Sequence, residues 1–116
     1  MRPLAGSNSA LTYTVTVQSG GTDSSEVDLE GFPLVGFVFP TITSTSMKFK
    51  VSNQHGGTFV ALKDNTGADV SVTVASNTGV ALTPTLMAQL GAFRFVKLVM
   101  GSAEGADRVI SICVKG

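Results

Sequence analysis

Three stretches of this chain alternate apolar and polar residues with a period of two. In residues 11–17, Leu11, Tyr13, Val15 and Val17 fall on one side, with Thr12, Thr14 and Thr16 on the other. Residues 47–52 set Met47, Phe49 and Val51 against Lys48, Lys50 and Ser52, and residues 108–114 direct Ile110, Ile112 and Val114 to one face. A strand puts successive side chains on opposite faces, so each stretch predicts a half-buried β-strand. Residues 34–39 and 93–100 are apolar on both sides, which predicts strands at a sheet centre or at a contact between chains. Shorter strand signals at 26–29, 58–63, 70–74 and 80–82 are separated by Gly-, Asn- and Asp-rich breaks. The run 47–74 reads as a β-meander. Placing Glu26, Asp28 and Glu30 on the wet face of an edge strand discourages unwanted pairing there.

One helix is expected near residues 84–90. Thr83 suits the N-cap, Pro84 the first helical position and Gly91 the terminator, with Leu86, Met87 and Leu90 facing the sheet. About eight or nine short strands around one helical turn describe an all-β chain: a single-domain antiparallel β-sandwich, jelly-roll-like. Residues 1–10 read as a polar, small-residue N-terminal arm and residues 11–116 as the sandwich domain.

Composition narrows the chemistry. At 116 residues the chain is one domain; 43% of it is hydrophobic and only 14% charged, so Thr, Ser, Asn and Gly must dress the surface. Eight basic and eight acidic residues cancel, so no global field draws in nucleic acid or an anionic membrane. The acids Asp23, Glu26, Asp28 and Glu30 crowd the first part and the bases Arg94, Lys97, Arg108 and Lys115 the last, a polarity that reads either as ordinary scatter of charge or as a basis for head-to-tail contacts between copies. With Cys113 the single cysteine, no intrachain disulfide can form. No apolar run has the length of a membrane span, and the opening residues lack the apolar core of an export signal.

Candidate chemistry is sparse. His55 is the single histidine and lies in a Gln-His-Gly-Gly turn, where it reads as a solvated loop residue; a metal site built on several histidines is excluded. No serine lies in a nucleophile elbow, so no catalytic triad is expected. Asp64-Asn65-Thr66-Gly67-Ala68-Asp69 spaces oxygens as a calcium loop does, but it lacks the distal glutamate and reads as a turn. Cys113, in an apolar strand, reads as a buried inert thiol. The paired glycines are followed by no Lys-Ser/Thr helix start, which excludes a phosphate loop, and the absence of tryptophan argues against a sugar-stacking platform. No enzyme, metal or cofactor is expected.

The order of segments carries more information. Val27-Asp28-Leu29-Glu30-Gly31 running into Leu34-Val35-Gly36-Phe37-Val38-Phe39-Pro40, then Met47-Lys48-Phe49-Lys50-Val51-Ser52, Gly56-Gly57-Thr58-Phe59 and the turn from Asp64 to Val70, resembles small virion proteins of tailed bacteriophages. Val80-Ala81-Leu82-Thr83-Pro84, Phe93-Arg94-Phe95-Val96-Lys97-Leu98 and Asp107-Arg108-Val109-Ile110 complete the pattern, which spans residues 26–114. The resemblance implies a non-enzymatic virion component at the capsid surface, a decoration (cement) protein bound to the major capsid protein. The alternative is a head or tail fibre or neck component with a host-surface or carbohydrate-binding role. A homo-oligomer, such as a trimer at shell three-fold positions, suits a cement protein. The expected contact surface comprises Arg2, Pro3 and Leu4 in the arm and Leu34, Val35, Phe37 and Phe39 in the two-faced apolar strand.

Overall fold

The computed structural model describes residues 10–115, with side chains from Thr12 onward. The expected arm lies outside the described residues except for Ala10, which already opens the first strand. In chain order the elements are β1 (Ala10–Val17), β2 (Val27–Asp28), β3 (Leu34–Val38), β4 (Ser46–Ser52), β5 (Val60–Ala61), β6 (Ser71–Thr73), β7 (Gly79–Ala81), α1 (Pro84–Gly91), β8 (Phe95–Met100) and β9 (Arg108–Lys115). They form two antiparallel sheets, one of four strands ordered β1-β9-β3-β7 and one of five ordered β2-β8-β4-β5 with β6 also on β4.

The alternation seen in the sequence decides which side of each strand is buried. Val15, Val17, Ile110, Ile112 and Val114 of the first sheet face Met47, Phe49, Val51, Val96, Leu98 and Met100 of the second across one core. The rings of Phe37 and Phe49 stack across the gap between sheets with centroids 6.0 Å apart. The two-faced apolar strands are central as expected: β3 lies between β9 and β7, and β8 between β2 and β4.

Strand β3 contains a register shift between Leu34 and Gly36, leaving Val35 as an extra residue against β9. A bulge of this kind reverses the inward-outward parity. Leu34 before it and Phe37 after it therefore both point into the core. Gly36 sits where the backbones crowd: a Cβ there would lie 2.9 Å from the Val80 carbonyl oxygen.

Two local expectations change. The stretch 47–74 is no meander, because β5 pairs with Lys50 and Val51 while β6 pairs with Ser46, Met47 and Lys48, end to end along one edge of β4. Just beyond β5 a tight turn bridges Lys63 to Asp69, and the chain then returns to the same edge of β4 as β6. Helix α1 is capped as expected by Thr83, whose Oγ1 accepts the Leu86 N–H at 3.2 Å. It ends differently: Gly91 is its last helical residue and Ala92 the C-cap, in right-handed conformation with φ −71°. Leu86 and Leu90 are buried against the sandwich and Met87 partly so, which holds a helix too short to persist alone.

Candidate functional site

The outer surfaces of the two sheets differ in chemistry. Outward positions of the five-stranded sheet are charged. Lys50 stands directly opposite Lys97 in the β4–β8 ladder, an arrangement that is repulsive unless each cation has its own partner. Lys50 reaches Asp23 at 2.6 Å, and Lys97 sits 4.7 Å from the centre of the Phe59 ring. Lys48 and Lys63 both grip Asp69, the former at 2.7 Å. At the rim, Arg94 clasps both carboxylate oxygens of Asp28, at 2.8 and 2.9 Å. These partners hold the carboxyls below their ordinary range: Asp69 falls to about 2 through Lys48 and then Lys63, Asp23 is lowered mainly by Lys50, and Asp28 mainly by Arg94. The Asp28–Arg94 pair joins the acid-rich start of the chain to its base-rich end within one molecule.

Outward positions of the four-stranded sheet are small and uncharged. The β1–β9–β3–β7 ladders align Thr14, Ser111, Val38 and Gly79 in one row and Thr12, Cys113, Gly36 and Ala81 in the next, with Thr16 beside Val109. Val38 and Val109 are about half exposed, at 49% and 54%. Lys115, at the very end of β9, is the only charged residue in these rows among the described residues. Cys113 lies here, half-buried and facing outward. That corrects the reading of a buried thiol: with Ile112 and Val114 pointing inward, parity sends Cys113 out.

The residues expected to form a contact surface separate accordingly. Leu34, Phe37 and Phe39 have exposures of 0%, 1% and 2% and belong to the core. As a contact patch they are corrected: the bulge turns their bulk inward, where it is shielded from any partner. Val35 is half-buried, and Arg2, Pro3 and Leu4 lie outside the described residues.

A residue that sequence reasoning passed over organises one end of the sandwich. Glu104, in the loop between β8 and β9, is 1% exposed. Its carboxylate accepts the N–H of Thr43 at 2.7 Å, the N–H and hydroxyl of Ser44 at 3.1 and 2.6 Å, and Arg108 Nε at 3.1 Å. Its backbone accepts from Gly20 N and donates to Gly21 O. Three loops, 18–22, 41–45 and 101–107, are tied to one another at this point. Burial pushes the carboxyl up, but the bonds from Ser44, Thr43 and Arg108 outweigh it, so the group stays below its ordinary value. The available signal was a lone acid among small residues, four positions before Arg108.

The other candidates settle as local structure. Asp64 Oδ1 accepts from Thr66 N, Thr66 Oγ1 and Ala68 N at 2.8, 2.6 and 3.0 Å, closing the turn that the calcium-like spacing resembles. His55 is exposed, its ring 5.8 Å from that of Phe95 and its Nδ1 3.3 Å from Glu26 Oε2. Among the described residues no group of three or more His, Cys, Asp or Glu is arranged to hold a metal ion, and no helix is long and apolar enough to cross a membrane.

No protein-family model matches the chain, and no curated protein matches it in sequence. Among solved structures, the SPBc2 prophage-derived protein YomS superposes with a TM-score of 0.55 at 14% identity, over 92% of this chain and 95% of that one. A chitosan-binding module from a chitosanase/glucanase of Paenibacillus sp. IK-5 aligns more loosely, with a TM-score of 0.40 at 16% identity over 99% of this chain and 82% of that one. The two-sheet fold of this chain is therefore one that it shares, end to end, with a phage-derived protein.

Proposed function

We propose that this chain is a non-enzymatic structural protein of a bacteriophage particle, and specifically a capsid decoration protein that binds the major capsid protein on the outside of the head. The observation that carries the reading is the fold held in common with a prophage-derived protein over nearly the whole length. The phage-like motifs support it, since they fall in order on the strands and turns of that fold. The distribution of charge supports it as well. Most of the charged side chains on the five-stranded sheet are engaged in pairs, and the four-stranded sheet offers a broad, neutral, gently structured face suited to lying against another protein surface.

The mechanism is mechanical. A protein that binds the assembled shell and not its free subunits stabilises the shell by mass action. Repetition over an icosahedral surface lets modest contacts add up.

Quantitative mass spectrometry of purified particles, referenced to the major shell protein, tests this. A copy number of the same order as the shell protein is expected, because only the head surface offers that many equivalent sites. A count lower by an order of magnitude or more would move the protein to the neck or a tail fibre, and absence from particles would overturn the virion assignment.

A further inference from the structure

The sandwich manages its sheet edges unequally. At the edges, β2 and β5 have two residues each and β6 and β7 three each, too short to template another strand. Strand β1 is also an edge, and it is eight residues long. Its sequence, Ala-Leu-Thr-Tyr-Thr-Val-Thr-Val, carries no charge and no proline, and its register with β9 runs without a bulge. Edges of this length are normally blunted by such devices, because their open N–H and C=O groups recruit a further strand.

The direction of those open groups follows from the structure. Thr16 uses its outer edge on the neighbouring segment: its carbonyl accepts Ser25 N at 3.1 Å and its N–H donates to Ser25 Oγ at 3.2 Å. Residues two apart in a strand point their backbone groups the same way, so Thr14 and Thr12 face the same edge. Among the described residues nothing bonds them there. Segment 24–25 therefore closes one end of the edge and leaves the part before Thr16 open.

The open part is nearly palindromic about Tyr13, reading Leu-Thr-Tyr-Thr-Val. We propose that β1 pairs antiparallel with β1 of a second copy of this chain, on a two-fold axis at Tyr13. In that register Thr12 of each copy faces Thr14 of the other, each donating its N–H and accepting at its C=O, while Tyr13 faces Tyr13 and Leu11 faces Val15. Thr–Thr and aromatic pairs are favourable cross-strand neighbours, and no charge opposes another. Ser25 ends the pairing at Thr16, which restricts slippage. The two neutral outer faces then join into one continuous sheet surface. This association is two-fold, unlike the trimer that would suit a cement protein at shell three-fold positions, and it holds or fails in the isolated chain regardless of the virion reading.

Sedimentation equilibrium of the full chain tests the pairing. The wild type is expected to be a dimer, and Thr14→Pro, which removes an outward N–H at an edge where proline is tolerated, a folded monomer. Because proline can disturb the strand, a second design keeps every backbone donor. Thr12→Lys with Thr14→Lys sets like charges opposite one another twice and is expected to weaken self-association at least about 100-fold. Thr12→Glu with Thr14→Glu is expected to do the same, and mixing the two variants to restore a one-to-one heterodimer. A wild type that stays monomeric up to about 1 mM, a dimer indifferent to both charge designs, or a mixture that fails to associate would overturn the proposal.

Discussion

The two outer faces of this sandwich solve the same problem, covering a sheet, with opposite materials. On the five-stranded sheet, Lys48, Lys50 and Lys97 would repel one another, and each is matched by Asp69, Asp23 or the Phe59 ring. On the four-stranded sheet, threonine, serine, valine and glycine leave almost nothing to match. The first face is complete within one chain, so adding a partner there means first breaking pairs. Among the described residues the second has no such pairs to break, and it ends at the long open edge of β1. The difference teaches where a neighbour would break fewest existing pairs: the quieter face, and not the more decorated one, is the contact we propose.

The largest test of that contrast attacks what holds both faces at their common end. Glu104→Ala strips the partner from Thr43 N–H, Ser44 and Arg108 in a buried place. A loss of about 3–5 kcal/mol is expected by denaturant unfolding, and a loss under about 1 kcal/mol would show that the loops are held by other means.

Flatness of the neutral face is tested by Gly36→Ala. The added methyl meets a backbone carbonyl that cannot swing aside, so about 1–3 kcal/mol of destabilisation is expected. An unchanged midpoint would mean that β3 and β7 shift freely.

On the charged face, Phe59→Ala removes the ring under Lys97 and leaves that lysine facing Lys50. A loss of about 0.5–1 kcal/mol is expected, and the additional Lys50→Ala should recover part of it if the repulsion is real.

The smallest single effect belongs to Asp69→Asn, a slight loss in thermal midpoint that disappears at about 1 M salt, where screening reaches about 3 Å. Acid exposes the same pairs together. Asp23, Asp28, Asp64, Asp69 and Glu104 all have lowered folded-state values. The unfolded chain therefore takes up protons first as pH falls, and the stability they contribute is intact above the unfolded values near 3.8 to 4.5. It should fade as pH drops from there through about 2, the folded value of Asp69. A flat unfolding midpoint across that window would show these pairs to be energetically idle.

Much of the architecture was legible because period-two alternation is a local property. Thr12, Thr14 and Thr16 against Tyr13, Val15 and Val17 define a strand and its wet side before any partner is known, and Thr83-Pro84 fixes a helix start within one turn. What escaped depends on strands far apart in the chain. Val35 is an extra residue only relative to β9, so the inward turn of Phe37 and the loss of a supposed contact patch could not be read from residues 34–39 alone. Glu104 is buried because Thr43, Ser44 and Gly20, distant in sequence, arrive around it.

By itself, then, the sequence determined the all-β class, the sandwich, the single helix and which residues of most strands face water, since side-chain alternation and capping act over a few residues. Tertiary structure decided the partners. It placed β5 and β6 in line on β4, made Val35 an extra residue against β9, drew Glu104 into the knot of loops, and left β1 with an open edge. Each of these is a statement about which backbone lies beside which, and hydrogen bonds and burial between distant segments are set by the whole fold.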